Sequence, residues 1–160
     1  MTKILAIIPA RGGSKGIKNK NIISINKKPL IYWTIKSAIQ SKLSKVIVST
    51  DDVKIKKVST NSGAEVPFLR PKHISGDKSK TINVAIHAIK YFSSKNINFD
   101  YVMILQPTCP FRTYKDINKS IDFLIKNKKY NSVISLQEVE SFHPARMKFI
   151  KKKKFIDDNF

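Results

Sequence analysis

Short apolar runs alternate along the chain with segments whose apolar residues recur every three or four positions. Ile4 to Ile8, Val46 to Val48 and Tyr101 to Leu105 are rich in branched side chains and predict buried strands. Between them the period becomes that of a helix. Pro29 fits the first turn of one whose buried face holds Ile31, Ile35, Ala38 and Ile39; Ile82, Ala85, Ile86 and Ile89 mark a second, and Ile117, Ile121, Leu124 and Ile125 a third. Val53 to Ser62 predicts a weaker helix, capped by Asp51 or Asp52 and closed by Gly63 before a short strand over Glu65 to Leu69. Ser132 to Val139 predicts one more strand. Strands alternating with helices imply parallel β-α-β units with right-handed crossovers, hence a layered α/β sandwich. Ligands of such sheets bind beyond the carboxyl ends of the strands, where the loops at 9–21, 49–52, 70–81 and 106–112 fall. Loops remote in sequence are thus expected to share one site.

The first of these loops carries the most chemistry. Ile7-Ile8-Pro9-Ala10-Arg11-Gly12-Gly13-Ser14-Lys15-Gly16-Ile17 runs on to Lys20-Asn21, so an apolar strand empties into glycines accompanied by three separated cations. Glycine lets the backbone come close and turn its N–H groups toward an anion, while Arg11, Lys15 and Lys20 can neutralise phosphate from different sides; a triphosphate suits the set. The spacing is neither that of a P-loop nor the Gly-x-Gly-x-x-Gly of dinucleotide binders, and an ordinary polar turn has a similar composition.

Composition narrows the partners. A chain of 160 residues has room for one domain with a real core, burying roughly 70% of its unfolded surface. The formal net charge is +20, which by itself suggests nucleic acid or an anionic membrane. Its lysines are scattered, however, and Arg11, Arg70, Arg112 and Arg146 are the only guanidinium forks, so solvated lysine faces are the simpler reading and nucleic acid an unlikely partner. Cys109 is the single cysteine, which excludes an intramolecular disulfide and leaves a thiolate zinc site without a second ligand. The apolar run before Pro9 is too short for a signal-peptide core and no stretch has the length of a membrane span; a soluble, cytoplasmic chain is expected.

Four blocks in order resemble the acylneuraminate cytidylyltransferase family: the opening loop, Ile47-Val48-Ser49-Thr50-Asp51-Asp52, Glu65-Val66-Pro67-Phe68-Leu69-Arg70-Pro71, and Leu105-Gln106-Pro107-Thr108-Cys109-Pro110-Phe111-Arg112-Thr113. The resemblance implies a Rossmann-like nucleotidyltransferase fold, a three-layer α/β sandwich with a mostly parallel central sheet. It implies that the anomeric hydroxyl of a nonulosonic acid of sialic, pseudaminic or legionaminic type attacks the α-phosphorus of CTP, giving CMP-sugar and pyrophosphate. Residues 1–150 would be the nucleotide-binding domain and 151–160 a basic tail. The family's continuation, with a dimerisation arm, an arginine near the chemistry and a paired-aspartate magnesium site, is expected beyond this sequence, so Mg2+ is implied without protein ligands here.

Residue by residue, the resemblance makes Arg11 and Lys20 the catalytic cations. Ala10, Gly13, Ser14, Lys15, Asn21 and Arg70 would complete the nucleotide site, with Ser79 and Thr81 offering hydroxyls to the base or ribose. Asp77, Ser79 and Thr81 also precede a helix, where capping explains them as well. Gln106 would contact the sugar, and Arg112 would face the acceptor carboxylate or anchor its own loop. Phe142-His143-Pro144 resembles a segment near the acceptor, where His143 reads as a turn residue. Lys18-Asn19 replaces a proline-containing pair and Phe111 a leucine. Three alternatives stay open: a nucleotidyltransferase for Kdo or a hexose phosphate, a non-catalytic nucleotide-binding remnant, and a polyanion-binding protein. Against the Kdo reading, Pro107 and Thr108 stand where those enzymes carry an acid.

Overall fold

Six consecutive residues, Ile4–Pro9, form strand β1 at the middle of a parallel sheet. The structure, a computed structural model, describes residues 2–136 and the backbone of residues 149–151 and 154–156. The segment at Phe142 to Pro144 and Arg146 lie outside the described residues, as do two lysines of the basic tail, Lys152 and Lys153. After β1 comes a hairpin of β2, Ser24–Ile25, and β3, Lys28–Pro29, turning through Asn26 and Lys27 at φ 50° and 61°. No glycine announces that turn in the sequence. Helix α1 (Leu30–Ile39), strand β4 (Lys45–Ser49), helix α2 (Val53–Asn61), helix α3 (Thr81–Ser93), strand β5 (Tyr101–Ile104) and helix α4 (Tyr114–Lys126) follow. Strand order is β4-β1-β5, with Ile7 opposite both Ile47 and Ile104. Beyond residue 148, β6 (Phe149–Lys151) pairs antiparallel with β7 (Lys154–Ile156).

The alternation of β1 divides the core in two. Ile4, Ala6 and Ile8 pack against Ile31, Ile35 and Ala38 of α1, Ile55 of α2 and Ile117 and Ile121 of α4. Leu5 and Ile7 face the other way, against Val84, Ala85, Ala88 and Phe92 of α3. Both faces being covered, β1 has no polar side chain to alternate with its apolar ones. Each buried isoleucine contributes roughly 1.5–3 kcal/mol. This is the expected three-layer α/β sandwich, with every pairing in its central sheet parallel.

Several elements differ from what the sequence pattern predicts. Ile39 is 49% exposed, at the edge of the α1 stripe, and Pro29 lies just before the helix as its N-cap. On α3 the buried stripe is Val84, Ala85, Ala88 and Phe92, whereas Ile82, Ile86 and Ile89 are exposed; two alanines let the helix approach the sheet more closely than isoleucines would. Glu65 to Leu69 forms two isolated parallel bridges, to Ile47 of β4 and to Thr50 just past it, because Pro67 has no N–H for a ladder. Residues 132–136 form no strand, and Ile134 and Leu136 are 62% and 49% exposed, so no burial fixes them; residues 137–139 lie outside the described residues. On α4, Ile117 and Ile121 are buried while Ile125 is exposed. Among the described residues no helix is long and apolar enough to cross a membrane.

Candidate active site

The loop after β1, the segment 70–81 before α3 and the loop after β5 meet at the sheet's carboxyl edge around a cleft of about 220 Å³. Its first wall is the glycine loop. Ala10 is buried and its N–H continues the ladder to the Ser49 carbonyl at 2.9 Å, after which the chain turns outward. The Gly12 N–H donates to Asp51 Oδ1 at 3.0 Å, and a Cβ on Gly12 would stand 2.7 Å from Asp52 Oδ2. That approach is open to glycine alone. Gly13 has no such constraint, since a Cβ there would meet no described atom within 4 Å. Asn19 takes the left-handed conformation at φ 55°, which asparagine tolerates, and starts a 3-10 turn over Lys20–Ile22. Asn21, 5% exposed, donates from Nδ2 to the Arg11 carbonyl at 2.9 Å. Its amide therefore ties the loop to itself while its side chain lines the cleft.

The second wall is made by residues between 70 and 84, and the segment after β4 holds its start in place, the Arg70 N–H donating to the Thr50 carbonyl at 2.7 Å. Asp52 caps α2, accepting from the N–H groups of Lys54 and Ile55 at 2.7 and 3.0 Å. Asp51 does not cap; beside the Gly12 N–H it faces Arg70 Nη2 at 4.0 Å. Arg70 is 6% exposed, donates from Nη2 to the Ser49 carbonyl at 3.2 Å, and has no partner for Nε among the described residues. Burial, with Arg11 nearby, draws its pKa below the ordinary value while Asp51 pulls upward. Arg70 is still a cation under any physiological condition.

Asp77 closes this wall. Its carboxylate pairs with the Arg11 guanidinium through one oxygen and with Lys15 Nζ at 2.7 Å through the other. The Lys15 bond first, and the Arg11 bond next, hold it below the usual carboxylate range. Capping of α3 is not its role: the N-cap is Lys80, and no side chain caps that helix among the described residues. Ser79 and Thr81 line the cleft with exposed or half-buried hydroxyls. Behind them, His87 packs edge-on against Phe68 at 4.5 Å with Nδ1 buried and unpartnered among the described residues.

Gln106 forms the third wall with Pro107 and Thr108, just past Leu105, whose N–H still reaches the Ile7 carbonyl at 3.0 Å. Arg112 does not line the cleft. Its carbonyl accepts from Ser37 Oγ at 2.7 Å and Nη2 lies 3.5 Å from the Gln106 carbonyl, so the side chain folds back across its own loop. Phe111 is 92% exposed. Of the residues expected from sequence, Arg11, Ser14, Lys20, Asn21, Arg70, Ser79, Thr81 and Gln106 meet at the cleft; Ala10, Gly13, Lys15 and Arg112 do not line it. From the sequence, Asp51 was a candidate cap of α2 on one of the loops expected at the site, and Asp77 a candidate cap of α3. Both stand on loops at the sheet's carboxyl edge, which was their available signal.

A sequence profile described as Cytidylyltransferase matches residues 5–154. The chain belongs to the cytidylyltransferase family. It is 38% identical over 136 residues to an N-acylneuraminate cytidylyltransferase of Escherichia coli O18:K1:H7, an alignment covering 84% of this chain and 31% of that protein. To a CMP-N,N'-diacetyllegionaminic acid synthase of Legionella pneumophila it is 38% identical, covering 86% and 59%, and to a pseudaminic acid cytidylyltransferase of Campylobacter jejuni 39%, covering 79% and 55%. The chain thus spans between a third and three fifths of these cytidylyltransferases. Among solved structures, a CMP:2-keto-3-deoxy-manno-octonic acid synthetase complexed with CTP superposes with a TM-score of 0.66 at 20% identity, over 79% of this chain and 49% of that one. A cytidylyltransferase from Leptospira borgpetersenii does so at 0.61 and 18%, over 80% and 51%. These likenesses share the cytidylyltransferase fold.

Proposed function

We propose that this chain forms the CTP-binding part of an enzyme that activates a nonulosonic acid of sialic, pseudaminic or legionaminic type as its CMP-sugar. The observation that carries the reading is the convergence of Arg11, Lys20 and Arg70 on one cleft whose opposite wall holds Gln106. In the reaction the acceptor's anomeric hydroxyl loses its proton to solvent as its oxygen bonds to the α-phosphorus of CTP, the bond to the bridging oxygen breaks, and pyrophosphate leaves with the electron pair. Such a transfer asks the protein for position and charge stabilisation more than for covalent work. Arg11 and Lys20 take catalytic roles as cations against the triphosphate, with Lys15 assisting from the rim and Ser14 contributing its hydroxyl. Arg70, too buried to swing outward, is assigned to the nucleoside together with Asn21, Ser79 and Thr81. Gln106 offers an amide to the sugar, and Arg112 holds the loop that carries Gln106.

Magnesium fits this cleft in one way. Among the described residues there is no cluster of three or more His, Cys, Asp or Glu, and a single carboxylate, Asp77, lines the cleft. Magnesium that arrives on a triphosphate asks for one or two carboxylates, with phosphate and water for the rest. Bound so, it would supply charge neutralisation along the phosphates.

Calorimetry with CTP, ATP, GTP and UTP in magnesium is the test. CTP is expected to bind more tightly than the other three; equal affinity for all four would reduce the site to a triphosphate clamp and remove the cytidine assignment.

A further inference from the structure

Three carboxylates stand at the carboxyl edge of this sheet, and they differ in what holds them. Asp52 is committed to two backbone N–H groups of α2, and Asp51 to the Gly12 N–H and the side of Arg70. Asp77 alone is held by flexible side chains, with one oxygen on Arg11 and the other on Lys15. Its own side chain is 38% exposed, on a turn closed by the Ser79 N–H to the Gly76 carbonyl at 3.1 Å. Neither burial nor a backbone donor fixes the carboxylate where it is. It occupies the loop cations as two phosphate oxygens would.

This arrangement has opposite consequences for two forms of the same ligand. A metal-free triphosphate must take Arg11 and Lys15 from Asp77 and then lie beside the carboxylate it has displaced, two like charges in one cleft. A metal-complexed triphosphate brings a cation that the released carboxylate can ligate. We propose that Asp77 is a specificity-determining residue that makes the cleft select metal-complexed over metal-free triphosphate, holding Arg11 and Lys15 in register until phosphate oxygens replace it. The inference rests on the CTP-site reading above and assigns the choice of nucleotide form to one side chain of it.

The experiment is calorimetric titration of the whole chain with pyrophosphate and with CTP, each in EDTA and in excess magnesium, for the parent protein, Asp77→Asn and Asp77→Ala. Melting temperatures without ligand check that all three are folded. Both variants are expected to bind metal-free pyrophosphate about three- to tenfold more tightly than the parent, since no ion pair must break and a like charge is gone. The gain in affinity from magnesium should shrink in both. With Mn2+ in place of magnesium, the water-proton relaxation enhancement of the protein–Mn2+–CTP complex should fall in Asp77→Ala. Weaker binding by both variants to the same extent with and without metal would make Asp77 a mere support for Arg11, and unchanged binding would give it no part; either result overturns the inference while leaving the CTP site standing. Absence of binding by all three proteins under every condition would overturn the CTP reading and this inference with it.

Discussion

Replacing Arg11 by alanine tests the site at its centre. The side chain is 32% exposed, lines the cleft and is paired with Asp77. A charge-assisted hydrogen bond to phosphate is worth about 1.5–3 kcal/mol, from which the Asp77 pair given up on binding must be subtracted. The lower part of that range follows, about 1.5–2 kcal/mol, or a loss of roughly 10- to 30-fold in CTP affinity. Folding should change by no more than about 0.5 kcal/mol, because the loop is fixed through its backbone, the Arg11 carbonyl by Asn21 and the Gly12 N–H by Asp51. Arg11→Lys should recover part of the affinity, keeping the charge and losing the fork. Lys128→Ala, an exposed lysine beyond α4, is the control and should leave binding unchanged. Titration calorimetry with CTP and magnesium reads all three. Comparable losses for Arg11→Ala and Lys128→Ala would mean that the net charge of +20 attracts the nucleotide diffusely, and the assignment of Arg11 would fail.

Two further outcomes follow from the geometry. Gly12→Ala should destabilise the chain by about 1–3 kcal/mol in urea denaturation, since its Cβ would press on Asp52, whereas Gly13→Ala should be nearly neutral; equal effects would disprove the close approach. His87 is held below its ordinary pKa by burial, with His73 and Arg70 adding like charge. The unfolded chain therefore takes up a proton before the folded one as pH falls, and stability is lost below about pH 6.5. His87→Gln should flatten that loss, and parallel melting-temperature profiles for the two proteins between pH 7 and 5 would assign it to another group.

The sheet and its helices were legible because burial on both faces leaves a coarse mark: β1, β4 and β5 are runs of branched residues, and α1 and α4 show their buried isoleucines at helical spacing. The α3 face misleads because it carries two apolar stripes. Val84, Ala85, Ala88 and Phe92 are on average smaller than Ile82, Ile86 and Ile89, yet they are the ones against the sheet. A helix chooses the face that fits its neighbour, and hydrophobicity alone cannot rank a close alanine contact against a distant isoleucine. The Asn26-Lys27 turn was missed because no glycine marks its positive φ angles, and the strand expected at Glu65 to Leu69 does not form because Pro67 cannot donate to a ladder.

The site was legible by a different route. Topology sends every β-α loop of a parallel sheet to one edge, so chemistry-bearing residues on those loops converge whatever their separation in sequence. Arg11, Lys20, Asn21, Arg70 and Gln106 accordingly meet at one cleft, while topology leaves open which way each side chain turns. Direction is decided by local hydrogen bonding. Arg112 folds toward the Gln106 carbonyl, and Asn21 gives its amide to the backbone of Arg11. Asp77 lies at the limit of the method: its position beside a helix start suggests a cap, yet Arg11 and Lys15 arrive from 66 and 62 residues away to claim it. A carboxylate beside clustered cations pairs with those whose side chains reach it. Its sequence neighbours cannot reveal that pairing, since both partners come from the loop after β1.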